Sequence, residues 1–306
     1  MTRHRQRKHP LPVPAGSCPT PGRAGLLLLC LLAACLPSKA AGPSDDDPEA
    51  RPWTFEYGLN LGAYFANAAT ANYYNGGTSG TRGVRSLQQV LDNDQQYNRI
   101  RQAVGYDVSL HGLPGAMSYS PAMMLGFYAS LQFREHAALI GEFNYTRLRT
   151  QDQFTLKLER FSNIEGDNIE RYTITGNEER IDLRLGYQHT FLSQASYLHP
   201  YLEAGAVVTD TKIRSHQARI EGSNYSLFYP PTSVSSYERD YGMSVGGYAG
   251  IGLKMDVSEQ FRLTAGFSSL YSRLNLGGNQ ALLWQHTLFV RIDLSSLRRG
   301  GDSANP

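Results

Sequence analysis

The stretch Tyr241–Tyr271, YGMSVGGYAGIGLKMDVSEQFRLTAGFSSLY, decides the fold. From Met243 every second residue is apolar or glycine: Met243, Val245, Gly247, Ala249, Ile251, Leu253 and Met255. Between them stand Ser244, Gly246, Tyr248, Gly250, Gly252 and Lys254, which are small or polar. Asp256–Gln260 is a polar break, and Phe261, Leu263, Ala265 and Phe267 restart the alternation. Side chains along a strand point alternately to opposite faces, so a period of two over this length predicts two strands joined by a turn. The apolar face then needs either a protein core or lipid.

The same pattern recurs along the chain. Trp53–Tyr64 places Phe55, Tyr57, Leu59 and Leu61 against Glu56, Gly58, Asn60 and Gly62. Met123–Phe133 alternates through Leu125, Phe127, Ala129 and Leu131, and Arg134-Glu135-His136 makes a tight connection. Leu139, Gly141, Phe143 and Tyr145 follow, with alternation continuing as Phe154, Leu156 and Leu158, so this hairpin is expected to project beyond a membrane, its tip near Glu165-Gly166-Asp167-Asn168. The return strand ends with Ile181, Leu183, Leu185 and Tyr187 against Asp182, Arg184, Gly186 and Gln188. A fifth strand spans Tyr201–Asp210, and the last spans Leu282–Leu294. With the two of the opening stretch, eight strands are predicted. Their connections alternate long and short: Phe65–Ser120 is long and polar, with weak helical spacing in Arg85–Ala103, and a polar segment with Pro230-Pro231 precedes Tyr241.

Composition agrees with an ordered β-protein: 41 % hydrophobic, 18 % charged, with 19 Tyr and 30 Gly among 306 residues. A mean hydropathy of −0.38 excludes a multi-helix membrane protein. It does not exclude a barrel, in which only alternate residues face lipid. Residues 1–40 read as a signal peptide: a basic start, the apolar run Ala24–Ala34, and Ser38-Lys39-Ala40 as a small-x-small cleavage site. A competing reading takes Leu32-Ala33-Ala34-Cys35 as a lipobox with Cys35 lipidated. Cys18, Cys30 and Cys35 are the cysteines, so cleavage after Ala40 leaves no thiol for a disulfide or metal site. Six of the 29 bases and none of the 27 acids lie in this leader, leaving 23 bases against 27 acids, a formal −4. No basic patch is expected to remain for nucleic acid. Residues 41–52 read as a flexible linker, 53–294 as the barrel and 295–306 as a polar tail.

Loop asymmetry and charge favour a membrane barrel. A soluble barrel with an apolar cavity has the inverse face assignment, and periodicity alone does not separate the two. The polar faces carry Glu56, Glu142, Asp182, Arg184, Glu203, Lys254, Arg262, Arg291 and Asp293. Inside a narrow barrel these can pair with one another. With an export signal, eight alternating strands and a charged interior, the chain resembles the small OmpA/OmpX-type outer-membrane β-barrels. That resemblance implies an all-β, eight-stranded antiparallel up-and-down transmembrane barrel in a Gram-negative outer membrane. It also implies contact with outer-membrane lipid and assembly by the barrel insertion machinery; separately, no cofactor is expected.

For function, the charged set is expected to be a packed salt-bridge network, the rival being a narrow gated ion path. Tyr73, Tyr74, Tyr97, Tyr225, Phe228, Tyr229 and Tyr237 in the long connections are a candidate loop binding surface for a protein or surface ligand, or else pack the loops on one another. A lipid-modifying enzyme would need a nucleophile, a base and an acid, and Ser268, Ser269, His286 and Glu238 are available without a motif that fixes their geometry. His111, His136, His189, His199 and His216 lack metal-ligand spacing, and no nucleotide fingerprint is present.

Overall fold

The computed structural model describes residues 53–77, 84–160, 168–191, 197–228, 241–258, 261–274, 276 and 282–294. The leader, linker and tail, the tip at 165–167, Pro230-Pro231, Tyr229, Tyr237 and Glu238 lie outside the described residues. Among the described residues ten strands are present: β1 (Thr54–Phe65), β2 (Val108–Gly112), β3 (Ala122–Arg134), β4 (Ala137–Leu158), β5 (Ile169–Thr190), β6 (Leu198–Ile220), β7 (Ser223–Ser226), β8 (Tyr241–Ser258), β9 (Phe261–Arg273) and β10 (Leu282–Asp293). Eight of them pair in the order β1-β3-β4-β5-β6-β8-β9-β10, and β10 pairs antiparallel with β1, so the sheet closes. The two extra strands, β2 and β7, flank the upper ends of β4 and β6.

The outside of the barrel is apolar. Phe127, Leu185, Val245, Ile251 and Leu288 are all exposed on it, whereas their chain neighbours turn inward and are buried or half-buried. From Phe55 to Phe65 on β1 this surface covers ten residue steps. At a rise of about 3.3 Å and a tilt of about 40° the band is about 25 Å tall, the thickness of a bilayer's hydrocarbon region. Exposed aromatics mark both edges: Phe65, Tyr271 and Trp284 on the loop side, and Trp53, Phe55, Phe191 and Tyr197 on the turn side.

The strands are unequal. β1, β3, β9 and β10 have 12 or 13 residues, enough to cross, while β4, β5 and β6 have 22, 22 and 23. The surplus stands above one side of the barrel as a curved sheet, β2-β4-β5-β6-β7. In this upper part the apolar residues change parity. On β4 the exposed Leu139 and Phe143 give way to the buried Phe154, Leu156 and Leu158. On β5, Tyr172 and Ile174 are buried where Leu185 and Tyr187 are exposed. Between Asn177 and Glu178 the β5–β6 register shifts, which leaves Arg214 without an opposite residue. The bulge moves the buried set of β6 from Val207 and Ile213 to Ala218 and Ile220.

Against this upper face packs the first long connection, expected as a polar excursion and here a folded cap. It holds α1 (Ala68–Ala71), α2 (Leu87–Leu91) and α3 (Asp94–Val104). Ser86 and Gln89 form a reciprocal capping box on α2, Asn93 caps α3, and Gly105 at φ 85° ends it. Leu87, Val90, Leu91 and Ile100 are buried with Phe154, Leu156, Ile174 and Ile220 in one core.

Candidate functional site

The nine charged residues read from the sequence all sit on the inner face, in stacked clusters. At the turn-side end Arg262 meets Glu56 and Asp256, each at 2.5 Å, with Asp293 buried nearby and Lys254 half-buried. At mid-height Arg291 donates two hydrogen bonds of 2.9 Å to the two oxygens of Glu203 and contacts Glu142, and its guanidinium lies 4.3 Å from the centre of the Phe289 ring. Arg184 faces Glu142 at 3.5 Å and Asp182 at 3.7 Å and donates to Ser268 Oγ at 3.1 Å. Thr209 donates to Asp182 at 2.6 Å, and Asn144 to Glu142 at 3.1 Å. Charges this deep cost several kcal/mol each unless paired, and a forked guanidinium on a carboxylate is the pairing that offsets most. Gly252 makes room at this level, since a Cβ there would lie 2.5 Å from the Tyr201 hydroxyl.

A further cluster was not read from the sequence. Arg180 and Glu178, both fully buried, are paired at 2.5 Å where the barrel meets the cap. Arg180 also donates to Gln285 at 2.5 Å and to Thr70 of α1 at 3.2 Å, and the Tyr64 hydroxyl bonds to Gln285. Tyr74 and Tyr119 donate to the same Glu178 oxygen at 2.8 and 3.0 Å. Burial, then the Glu178 charge, pushes both phenols well above their ordinary pKa, so they remain donors. Tyr74 lies across Gly176, where a Cβ would meet its ring at 2.2 Å. The signal was present as the alternation of Glu178, Arg180, Asp182 and Arg184, one inward face continued above the apolar band.

Of the two readings of the loop aromatics, the described residues follow the second, packing the loops on one another. Tyr73, Tyr74 and Tyr225 are buried, and Tyr97 and Phe228 are half-buried against the same core. They hold the cap to the sheet because the upper β4–β6 face is itself apolar and needs cover. What the cap presents outward is polar: Gln88, Gln89, Gln95, Asn98 and Gln102 are exposed on α2 and α3. The expectation of no basic patch is corrected, since Arg147, Arg149, Arg171 and Arg219 are exposed on the outward face of the upper sheet. A net charge sums over the chain, and six acids, Glu56, Glu142, Glu178, Asp182, Glu203 and Asp293, are buried where they cannot offset these bases.

Among the described catalytic candidates, Ser268 and Ser269 point to opposite faces of the sheet. Ser268 is fully buried in the lumen, hydrogen-bonded to Arg184 and, at 2.5 Å, to Thr287. Ser269 faces outward and meets His286 Nδ1 at 2.9 Å, with the ring stacked on Phe267 at 5.7 Å. This bond satisfies two polar groups within an apolar surface. Among the described residues, no group of three or more His, Cys, Asp or Glu side chains is placed to hold a metal ion.

A closed eight-stranded antiparallel sheet, apolar outside and ionic inside, is built for one solvent arrangement. The chain is a closed eight-stranded β-barrel with a lipid-facing outer surface. No protein-family model matches the sequence, and no curated protein does. Among solved structures it is similar to the Neisserial surface protein A, at 11 % identity over 80 % of this chain and 99 % of that one, with a TM-score of 0.38. It is similar to Ail, the attachment invasion locus protein of Yersinia pestis, in complex with the heparin analogue sucrose octasulfate, at 13 % identity over 78 % and 98 %, TM-score 0.32. The outer-membrane protein OprG of Pseudomonas aeruginosa matches at 9 % identity over 79 % and 92 %, TM-score 0.31.

Proposed function

We propose that this barrel is a display platform: it carries a rigid, folded cap at the cell surface, and the cap's polar helices bind an extracellular ligand. The observation that supports this is the cap core itself. Residues of α1–α3, of β2, of β4–β7 and of the segments between them share one continuous apolar cluster, which a mere connection between strands does not require. The ionic clusters from Arg262 to Arg180 occupy the lumen and argue against conduction. Gln95, Asn98 and Gln102 stand outward one turn apart on α3 and offer adaptable donors and acceptors.

Two measurements test the reading. In planar bilayers the refolded barrel should give no conductance steps, and steady single-channel openings would replace display by a pore. On arrays of glycans and extracellular-matrix proteins, the purified protein should retain at least one probe that Gln95→Ala/Asn98→Ala/Gln102→Ala loses about ten-fold or more, the cost of about one good hydrogen bond left unmade. Equal binding of the variant to every probe would remove α3 as the ligand surface.

A further inference from the structure

Above the lipid band, the outward face of β4–β6 carries Arg147, Arg149, Lys157, Arg171, Arg214 and Arg219, all exposed, with Lys212 half-buried among them. The acids on that face are Asp210 and Glu179, and Glu179 is engaged by Arg214 at 2.5 Å. The remaining outward positions are uncharged and mostly polar, among them Gln151, Gln153, Thr173 and Asn177. The bases form two tiers. Arg147 stands opposite Glu179, which stands opposite Lys212, and Arg149 lies opposite Asn177. Lys157, Arg171 and Arg219 lie near the free end of the sheet.

Height and direction identify the partner. The last lipid-facing rung of β4 and β5 is Tyr145–Ile181, and Arg147 follows it two residues on, about 7 Å along the strand. Side chains stand roughly perpendicular to a sheet, so this tier points sideways from the protein just above the hydrocarbon boundary. What lies beside a barrel at that height is the headgroup layer of its own membrane. The face is one-sided, because β1, β3, β9 and β10 end at the edge of the band.

We propose that the tier Arg147, Arg149, Lys212 and Arg214 binds phosphate groups of outer-leaflet lipid headgroups, and so fixes the orientation of the upper sheet on the membrane surface. A guanidinium matches two phosphate oxygens at once, and Arg147 and Arg149, alternate residues on one strand, present two such forks side by side. The proposal needs only the membrane orientation of the barrel. It stands or falls independently of what the cap binds.

The test uses the folded protein in octyl glucoside, a detergent without phosphate. Diphosphoryl lipid A is titrated in mixed micelles, and bound lipid is counted by native mass spectrometry. Each base near an anionic lipid surface contributes about five-fold in affinity, so Arg147→Gln/Arg149→Gln/Lys212→Gln should weaken binding on the order of a hundred-fold. The variant Lys157→Gln/Arg171→Gln/Arg219→Gln, above the headgroups, should stay within roughly ten-fold of wild type. Heat-modifiable gel mobility checks that both are folded. If the first variant does not fold, wild-type affinity across about 50 to 500 mM salt still decides, since a phosphate contact must weaken about ten-fold or more. Three results overturn the proposal: unchanged affinity in the lower-tier variant or across salt, an equal or larger loss in the upper-tier variant, which assigns the face to a soluble polyanion, and inorganic phosphate or a hexose phosphate binding as tightly as the lipid.

Discussion

The lower and upper halves of β4 follow opposite rules although they are one unbroken strand. Below Thr146 the exposed side chains are Leu139 and Phe143 and the buried ones Glu142 and Asn144. Above it the exposed residues are Arg147, Arg149 and Gln153, and the buried ones Leu148, Phe154 and Leu156. Backbone pairing with β5 runs through both halves without a break. The difference is therefore one of solvent. Where lipid surrounds the strand, apolar groups gain nothing by turning inward and the lumen can be ionic. Where water surrounds it, burial of apolar area drives the packing, at roughly 25 cal/mol per Å², and a cap must supply the other half of the core.

The largest effects should come from breaking each half by its own rule. Arg291→Ala leaves Glu142 and Glu203 buried without their shared cation, and should cost up to about 5 kcal/mol, read as a lower urea midpoint for barrel unfolding in detergent or vesicles. Phe154→Ala should cost about 3 to 4 kcal/mol in the cap. It should appear as faster proteolysis between Tyr73 and Ser120, with heat-modifiable mobility of the barrel unchanged. If both variants shift one common transition by the same probes, the two halves are a single cooperative unit and the comparison fails.

One substitution made on the two outer surfaces sharpens the boundary. Leu185→Arg faces lipid and should destabilise by about 2 to 4 kcal/mol in vesicles. Gln153→Arg faces water on the neighbouring strand and should stay within about 0.5 kcal/mol. Similar costs at both sites would mean that the band extends above Tyr145.

The smallest effect is pH-dependent and confined to the cap. His216 is fully buried between the rings of Tyr73, Tyr74 and Phe228, with its Nε2 3.2 Å from the Tyr74 carbonyl oxygen. Desolvation brings its pKa down to about 4 from 6.5. The unfolded cap therefore binds the proton first. The stabilisation is complete above about pH 6.5 and is lost as pH falls toward 4, about 2 kcal/mol being gone by pH 5. Amide exchange of α1 and the upper β6 should accelerate over that interval, and His216→Leu should flatten the profile. A wild-type profile that stays level to pH 4 would place the imidazole in a wetter site.

Legibility differed between the same two regions. The inner charges Glu142, Arg184, Glu203 and Arg291 were readable because each alternates with lipid-facing apolar residues, such as Phe143, Leu185, Leu202 and Val290, so that parity alone assigns the face. Glu178 and Arg180 carry the same parity but lie where the outward partners are Asn177 and Glu179, so that only the continuation from Ile181 and Asp182 signalled their direction. Phe154, Leu156 and Leu158 showed a period of two, yet their even numbering against the odd Leu139 and Phe143 was the sign of a second core. Tyr73, Tyr74 and Tyr225 looked like display residues because nothing local reveals that the sheet opposite them is apolar.

By itself the sequence determined the eight strands of the barrel, the alternation of long and short connections and the lining of the barrel, since each rests on a period of two and on turn residues close in the chain. Tertiary structure alone decided three things: that Phe65–Ser120 is a cap and not a loose loop, that Arg180 and Glu178 join it to the lumen, and that the bases of β4–β6 share one exposed face. Each of these brings together residues distant in sequence, and each depends on which side of the membrane boundary a given rung of the sheet stands.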